Sequence, residues 1–199
     1  MVAPGRGILA ADESSGTIKK RFDAIGVENS EDNRRDYREL MFRTNEAMSK
    51  NISGVILYDE TLRQKAKDGT PLVKIIEQAG SLPGIKVDKG TKPLPFCPGE
   101  VITEGLDGLR DRLVEYRGLG AKFAKWRAVI DIGAGIPSYT CIKANAHGAG
   151  GRDRRQRDLA SAGLGPAQGG LTDRMPYRLK GTPPLCYCRF CAIIAVIHS

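Results

Sequence analysis

Charged residues recur in this chain at strand positions where an α/β core ordinarily takes Val, Ile or Leu. Asp12 closes the run Gly7-Ile8-Leu9-Ala10-Ala11 and shares a strand face with Ile8 and Ala10. Lys86 and Asp88 share a face in Gly84-Ile85-Lys86-Val87-Asp88-Lys89-Gly90, and Lys125 and Arg127 share one in Phe123-Ala124-Lys125-Trp126-Arg127. Two ammonium groups and a guanidinium around one carboxylate are net positive and suit an anion, above all a phosphate. Crowded cations also free a lysine amine to move protons or attack a carbonyl near neutral pH. Asp12 could orient such a lysine or exchange a proton with a substrate hydroxyl. Buried structural ion pairs and solvent-exposed strand ends are the plainer readings, and spacing alone leaves all of them open. The recurrence of Lys, Arg and Asp near the C-terminal ends of strands is what keeps a site among these readings, because α/β barrels and open sheets build theirs there.

Other chemistries have little support. The two histidines, His147 and His198, form no ligand-spaced pair, so no metal is expected. Cys186, Cys188 and Cys191 read C-x-C-x-x-C, but without a fourth ligand at suitable spacing they are expected to be incidental. No G-x-G-x-x-G and no phosphate-loop lysine occurs, so a nucleotide has no local motif.

The elements that must position the charges alternate between strand and helix. Strands are expected at Gly7–Glu13, Ser53–Tyr58, Ile85–Lys89 and Ala121–Ile130. Helices are expected at Ser14–Ile25, Glu31–Lys50, Pro71–Gln78, Gly105–Gly118 and Pro137–His147. The long second helix carries Tyr37, Leu40, Met41, Thr44 and Met48 near one stripe. Successive β–α units of this kind make a parallel sheet, either a barrel or an open doubly wound one. After His147 the pattern gives way to Gly148–Gly151, a basic cluster Arg152–Arg157, and Gly- and Pro-rich sequence whose one later strand candidate is Ala192–Ile197.

Composition agrees with a globular protein: 199 residues, 41% apolar and 27% charged. The start lacks a secretory signal, no apolar run approaches the roughly 20 residues of a membrane span, and the five cysteines are unevenly spaced. A cytoplasmic location is therefore expected. The net charge of +8 is uneven, because the first 149 residues carry 23 Lys+Arg against 20 Asp+Glu and the last 50 carry eight against three. Nucleic-acid binding through Arg152–Arg157 is not favoured, since Asp153 and Asp158 dilute the cluster and no aromatics interleave it for base stacking.

The same segments resemble one family. Gly7-Ile8-Leu9-Ala10-Ala11-Asp12-Glu13-Ser14, Gly84-Ile85-Lys86-Val87-Asp88-Lys89-Gly90, Gly105-Leu106-Asp107-Gly108-Leu109 and Phe123-Ala124-Lys125-Trp126-Arg127 are similar, in order and spacing, to class I fructose-1,6-bisphosphate aldolase. Glu28-Asn29, Asn33-Arg34-Arg35, Gly54-Val55-Ile56-Leu57 and Asp59-Glu60-Thr61-Leu62 fit between them, so that the likeness covers about residues 2–147. It implies a (β/α)8 TIM barrel, here only its first four β/α units, and cleavage of fructose 1,6-bisphosphate to two triose phosphates through a lysine Schiff base without metal or cofactor. By resemblance Asp12 helps form the Schiff base and handles its protons, and Lys125 is the proton-handling lysine. Lys86 and Arg127 hold the substrate and its far phosphate, and Ser14, Thr17 and Arg21 make further contacts to that phosphate.

The departures define a second expectation. Beyond residue 147 the sequence resembles neither the family's I-V-E-P-E strand, nor its L-L-K-P-N-M strand with the Schiff-base lysine, nor its near-phosphate loops, and Lys180 has no such setting. Nor does the sequence show the helix that in the family precedes the counterpart of Val2. Residues 1–147 are thus expected to be a partial aldolase barrel and 148–199 an irregular basic tail of non-homologous origin, from a frameshift, a retained intron or an error in the gene's reading. Such a truncated chain is expected to be inactive alone. The alternative is a non-catalytic fragment that binds sugar phosphates or associates with itself or with full-length aldolase subunits.

Overall fold

The computed structural model describes residues 4–150 and 190–196 of the chain. In order the elements are β1 (Gly7–Ala11), α1 (Ser15–Asp23), α2 (Glu31–Phe42), α3 (Asn45–Asn51), β2 (Ile52–Leu57), α4 (Asp59–Arg63) and α5 (Leu72–Gln78). There follow β3 (Leu82–Lys86), β4 (Thr91–Pro93), β5 (Val101–Thr103), α6 (Leu109–Gly118), β6 (Phe123–Ile130), α7 (Tyr139–Gly150) and β7 (Phe190–Val196). The chain divides into two compact units, Met1–Val87 with Leu109–Lys125 and Asp88–Gly108 with Trp126–Ser199.

In the first unit β1, β2, β3 and the start of β6 lie side by side, all parallel, with helices between successive strands. Strand alternation separates two faces. Ala11, Leu57, Ile85 and Ala124 fall in one row and are buried, the first three completely. With Ile18, Phe22, Phe42, Met48, Leu72 and Ile76 from the helices they make the core. Each such large side chain contributes roughly 1.5–3 kcal/mol on burial. The next row of the opposite face runs Ala10, Ile56, Gly84 and Phe123. There the Phe123 ring lies over two glycines: a Cβ on Gly84 would stand 2.3 Å from it and one on Gly54 3.0 Å. Gly84 is needed for space, and Gly54 sits at a tight contact that leaves little room for a Cβ.

The expected helix over 31–50 is two helices. The Thr44 hydroxyl donates to Leu40 O at 3.1 Å, back-bonding that bends helices, and α2 ends at Phe42 with Arg43 as its C-cap. The break has a packing reason. Phe42 and Met48, both buried, would lie about 120° apart on one continuous helix, and two helices let both reach the core. The expected stripe is also displaced: Leu40 is 72% exposed, and Arg38 with Phe42 takes the inward face.

Strand β3 begins and ends earlier than the alternation implied. One further ladder bond runs from Val87 N to Lys125 O at 3.0 Å. Asp88 belongs to the second unit and receives the Gly90 amide at 3.4 Å, so it does not continue the Lys86 face as a strand residue.

In the second unit β4 and β5 form an antiparallel hairpin, which sequence reading did not anticipate. Asn145 of α7 is buried, and its side chain donates to Val101 O at 2.9 Å and accepts from Thr103 N at 3.4 Å, serving the β5 edge much as a neighbouring strand would. α7 runs through Gly148 to Gly150, beyond its expected end at His147. β7 follows β6 in the sheet order and overlaps the strand expected at Ala192–Ile197. Cys186, Cys188, Lys180, His198 and the Arg152–Arg157 cluster lie outside the described residues.

Candidate active site

The strand register brings the charges of the first unit together. Leu57 is opposite both Ala11 and Ile85, and Lys86 is opposite Lys125. One residue past the buried row, therefore, Asp12, Tyr58, Lys86 and Lys125 line up across four neighbouring strands, the first three at the C-terminal ends of β1, β2 and β3 and Lys125 near the start of the longer β6. The Lys125 ammonium donates to Asp12 Oδ2 at 2.7 Å, with the two side chains only 13% and 11% exposed. Lys86 Nζ donates to the main-chain oxygen of Asp12 and sits 4.9 Å from the centre of the Tyr58 ring, a cation–π contact. The Phe123 ring, two residues before Lys125 on the same face, packs under this row against Gly84 and Gly54.

Such an arrangement can do defined chemistry. An amine and a carboxylate in contact, mostly screened from water, can pass a proton between themselves and a bound molecule. The excess of positive charge at the strand ends favours an anionic occupant.

A second group lies just after β1. Ser14 flanks the start of α1, and its hydroxyl is 3.1 Å from the Thr17 hydroxyl. Arg21, in the last turn of α1, is exposed and donates to Glu13 Oε1 at 2.5 Å and to the Tyr37 hydroxyl at 3.0 Å. The Glu13 carboxylate and the Tyr37 hydroxyl hold this guanidinium above its ordinary pKa. Glu13 is thus the link between α1 and α2.

The structure therefore brings Asp12, Lys86 and Lys125 into contact, and gathers Ser14, Thr17 and Arg21 on the stretch that follows Asp12. Arg127 falls in the second unit, where its side chain is exposed and its carbonyl accepts the Thr103 hydroxyl at 2.7 Å. Among the described residues, no group of three or more His, Cys, Asp or Glu could hold a metal ion.

Sequence reading missed Tyr58, Glu13 and Arg38. Tyr58 had a signal, since it ends the second strand in the position that Lys86 takes on the third. Glu13 is adjacent to Asp12, but its role depends on residues 8 and 25 positions away. Arg38 gave no signal, being one arginine in a heavily charged helix.

The model of the family described as fructose-bisphosphate aldolase class-I matches residues 1–152. Over 147 residues the chain is 64% identical to a probable fructose-bisphosphate aldolase class 1 of Xanthomonas campestris pv. campestris, covering 74% of this chain and 44% of that protein. It is 56% identical over 147 residues to the fructose-bisphosphate aldolase of Drosophila melanogaster, covering 74% and 41%. A solved structure of the Plasmodium falciparum aldolase, crystallised with TRAP and a small-molecule inhibitor, superposes with a TM-score of 0.72 at 48% identity, covering 74% of this chain and 43% of that one. The chain thus spans less than half the length of the relatives it matches. Its parallel strands, in the order β1-β2-β3-β6 with helices between, follow the pattern of the (β/α)8 barrel, of which they supply the first four units. The chain belongs to the class I fructose-bisphosphate aldolase family.

Proposed function

We propose that these 199 residues carry the proton-handling and far-phosphate part of a class I aldolase site, and that alone they bind sugar phosphates without completing the aldol cleavage. The observation that carries this reading is the contact of Lys125 Nζ with Asp12 Oδ2 at 2.7 Å, with Lys86 anchored on the same residue's carbonyl. Asp12 and Lys125 exchange protons with the substrate, and Lys86 and Arg127 hold the sugar and its far phosphate. Ser14, Thr17 and Arg21 add contacts to that phosphate. The ligands are fructose 1,6-bisphosphate and the triose phosphates, and no cofactor takes part.

The cleavage itself needs a lysine iminium as electron sink for the carbanion left when the C3–C4 bond breaks. No segment after residue 147 has the L-L-K-P-N-M character of the strand that supplies it in the family, so these residues by themselves are inactive in this reading. The functional boundary falls near residue 147, with 148–199 a separate tail. Self-association, or association with full-length aldolase subunits, supplies the route by which such a chain acts in a cell. A cytoplasmic setting is supported by the relative from Arabidopsis thaliana that is named cytosolic, and no helix among the described residues is long and apolar enough to cross a membrane.

The test is to incubate the chain with dihydroxyacetone phosphate and borohydride and to measure its intact mass beside a full-length aldolase. The full-length enzyme gains one adduct and this chain gains none. A single stoichiometric adduct on this chain means that another lysine forms the iminium, and the inactive reading falls.

A further inference from the structure

We infer that Arg38 is a positioning residue, which through Glu13 holds both the Asp12–Lys125 pair and Arg21 in place, and this rests on the reading of the site given above. Arg38 is fully buried, a rare state for an arginine. Its guanidinium leaves α2 and meets three groups: the Thr61 hydroxyl of α4, the Glu13 main-chain oxygen at 2.9 Å, and Glu13 Oε2 at 3.1 Å. Its Nε is buried without a partner. A buried guanidinium with an unsatisfied N–H is a poor device for stability, since well-packed apolar side chains in such places do as well or better. What it does provide is geometry.

That geometry acts on consecutive residues. The Asp12 carbonyl receives Lys86 Nζ from β3, and the Glu13 carbonyl receives Arg38 Nη2 from α2. Cationic donors from two different elements thus fix both peptide units that flank Glu13. With the backbone held there, the Asp12 side chain is aimed at Lys125. The Glu13 carboxylate does a second task with its two oxygens. One faces Arg38, and the other holds Arg21 Nη1, which also reaches the Tyr37 hydroxyl one residue before Arg38 on α2. Arg38 is therefore the common anchor of the proton-handling pair and of one phosphate contact, although it touches neither substrate position.

The test uses the whole chain and the variants Arg38→Met, Arg38→Lys, Glu13→Gln and Phe42→Leu. Phe42 is as buried as Arg38 and lies on the same helix, so Phe42→Leu reports loosening of α2 without loss of the anchor. One readout is the rate of amine acetylation at Lys125, normalised to exposed Lys20 and measured by peptide mass spectrometry. The other is the dissociation constant for fructose 1,6-bisphosphate. Arg38→Met should raise the relative Lys125 rate and weaken binding about tenfold each, the worth of a charged hydrogen bond. Arg38→Lys should recover most of both, and Phe42→Leu should change neither at a comparable thermal midpoint. Equal effects of Arg38→Met and Phe42→Leu at comparable midpoints would overturn the inference. Should Arg38→Met not fold, Glu13→Gln decides: a faster Lys125 rate and weaker binding sustain the inference, and an unchanged rate and affinity overturn it. If the wild-type chain does not bind the bisphosphate while the Lys125 rate still follows Arg38, the proposed function is wrong and the positioning role stands.

Discussion

Gly84→Ala tests whether the site rests on the packing seen beneath it. Gly84 is not in the left-handed region, so any penalty must come from space and not from backbone strain. Its added Cβ would stand 2.3, 2.4 and 2.6 Å from three carbons of the Phe123 ring, where carbon atoms ordinarily keep about 3.5–4.0 Å. The ring must therefore move by more than 1 Å, roughly the shortfall from normal contact. It has little freedom to do so, because it is 1% exposed and two of the same three carbons also lie over Gly54. Overpacking of this kind costs about 1–3 kcal/mol, and the double confinement places Gly84→Ala near the upper end. For a chain of this size that lowers the thermal midpoint by about 6–12 °C, measured by circular dichroism at 222 nm. Gly84→Ala/Phe123→Leu, with a shorter side chain over the strand, should recover most of the loss. A Gly84→Ala protein that melts with the wild type, or a double variant less stable than Gly84→Ala, would refute the reasoning.

Other expectations follow from the same contacts. A double-mutant cycle on Asp12→Asn and Lys125→Met, read by urea unfolding, should give a coupling of about 2–3 kcal/mol, since the pair is largely buried; a value near zero would mean that the 2.7 Å contact is not formed in solution. Phe42→Ala should cost about 3–5 kcal/mol by the same measurement, because Phe42 is fully buried at the end of α2. The Ser138 side chain and amide hold the Glu100 carboxyl below its ordinary 4.5, so its stabilisation is present above that value and is lost as pH falls further; Glu100→Gln should flatten the acid limb of the stability profile, and an unchanged limb would count against the contact. A chain ending at Gly150 should keep its helix signal in the far ultraviolet, as α1 to α7 all precede that point, and a large loss would place the tail inside the fold.

Much of the parallel sheet was legible because its strands are short apolar runs with turn residues at their ends, and the register then follows from keeping Leu57 and Ile85 inside. Asp12, Lys86 and Lys125 stood out for the same reason, as charges in segments otherwise written for a core. What was not legible depends on distant partners. Nothing local marks Arg38 as buried or Leu40 as exposed: the inward face of α2 is decided by Glu13 and Thr61, both remote in sequence. The break at Thr44 depends on a hydroxyl bond that competes with helix continuation, in a stretch whose residue types all tolerate helix. The alternation Lys86–Asp88 read as strand because Val87 still makes one ladder bond, yet Lys89 N turns to Glu104 O at 2.8 Å instead. The hairpin β4–β5 is too short, at three residues a strand, for periodicity to show.

The most direct measurement is a calorimetric titration of fructose 1,6-bisphosphate into the chain and into Lys86→Met. Saturable one-site binding to the wild type, weakened about tenfold or more by loss of the ammonium that lies over Tyr58, is the predicted result. No binding to the folded wild type, or the same affinity in both proteins, would contradict the assignment of these strand ends as a sugar-phosphate site.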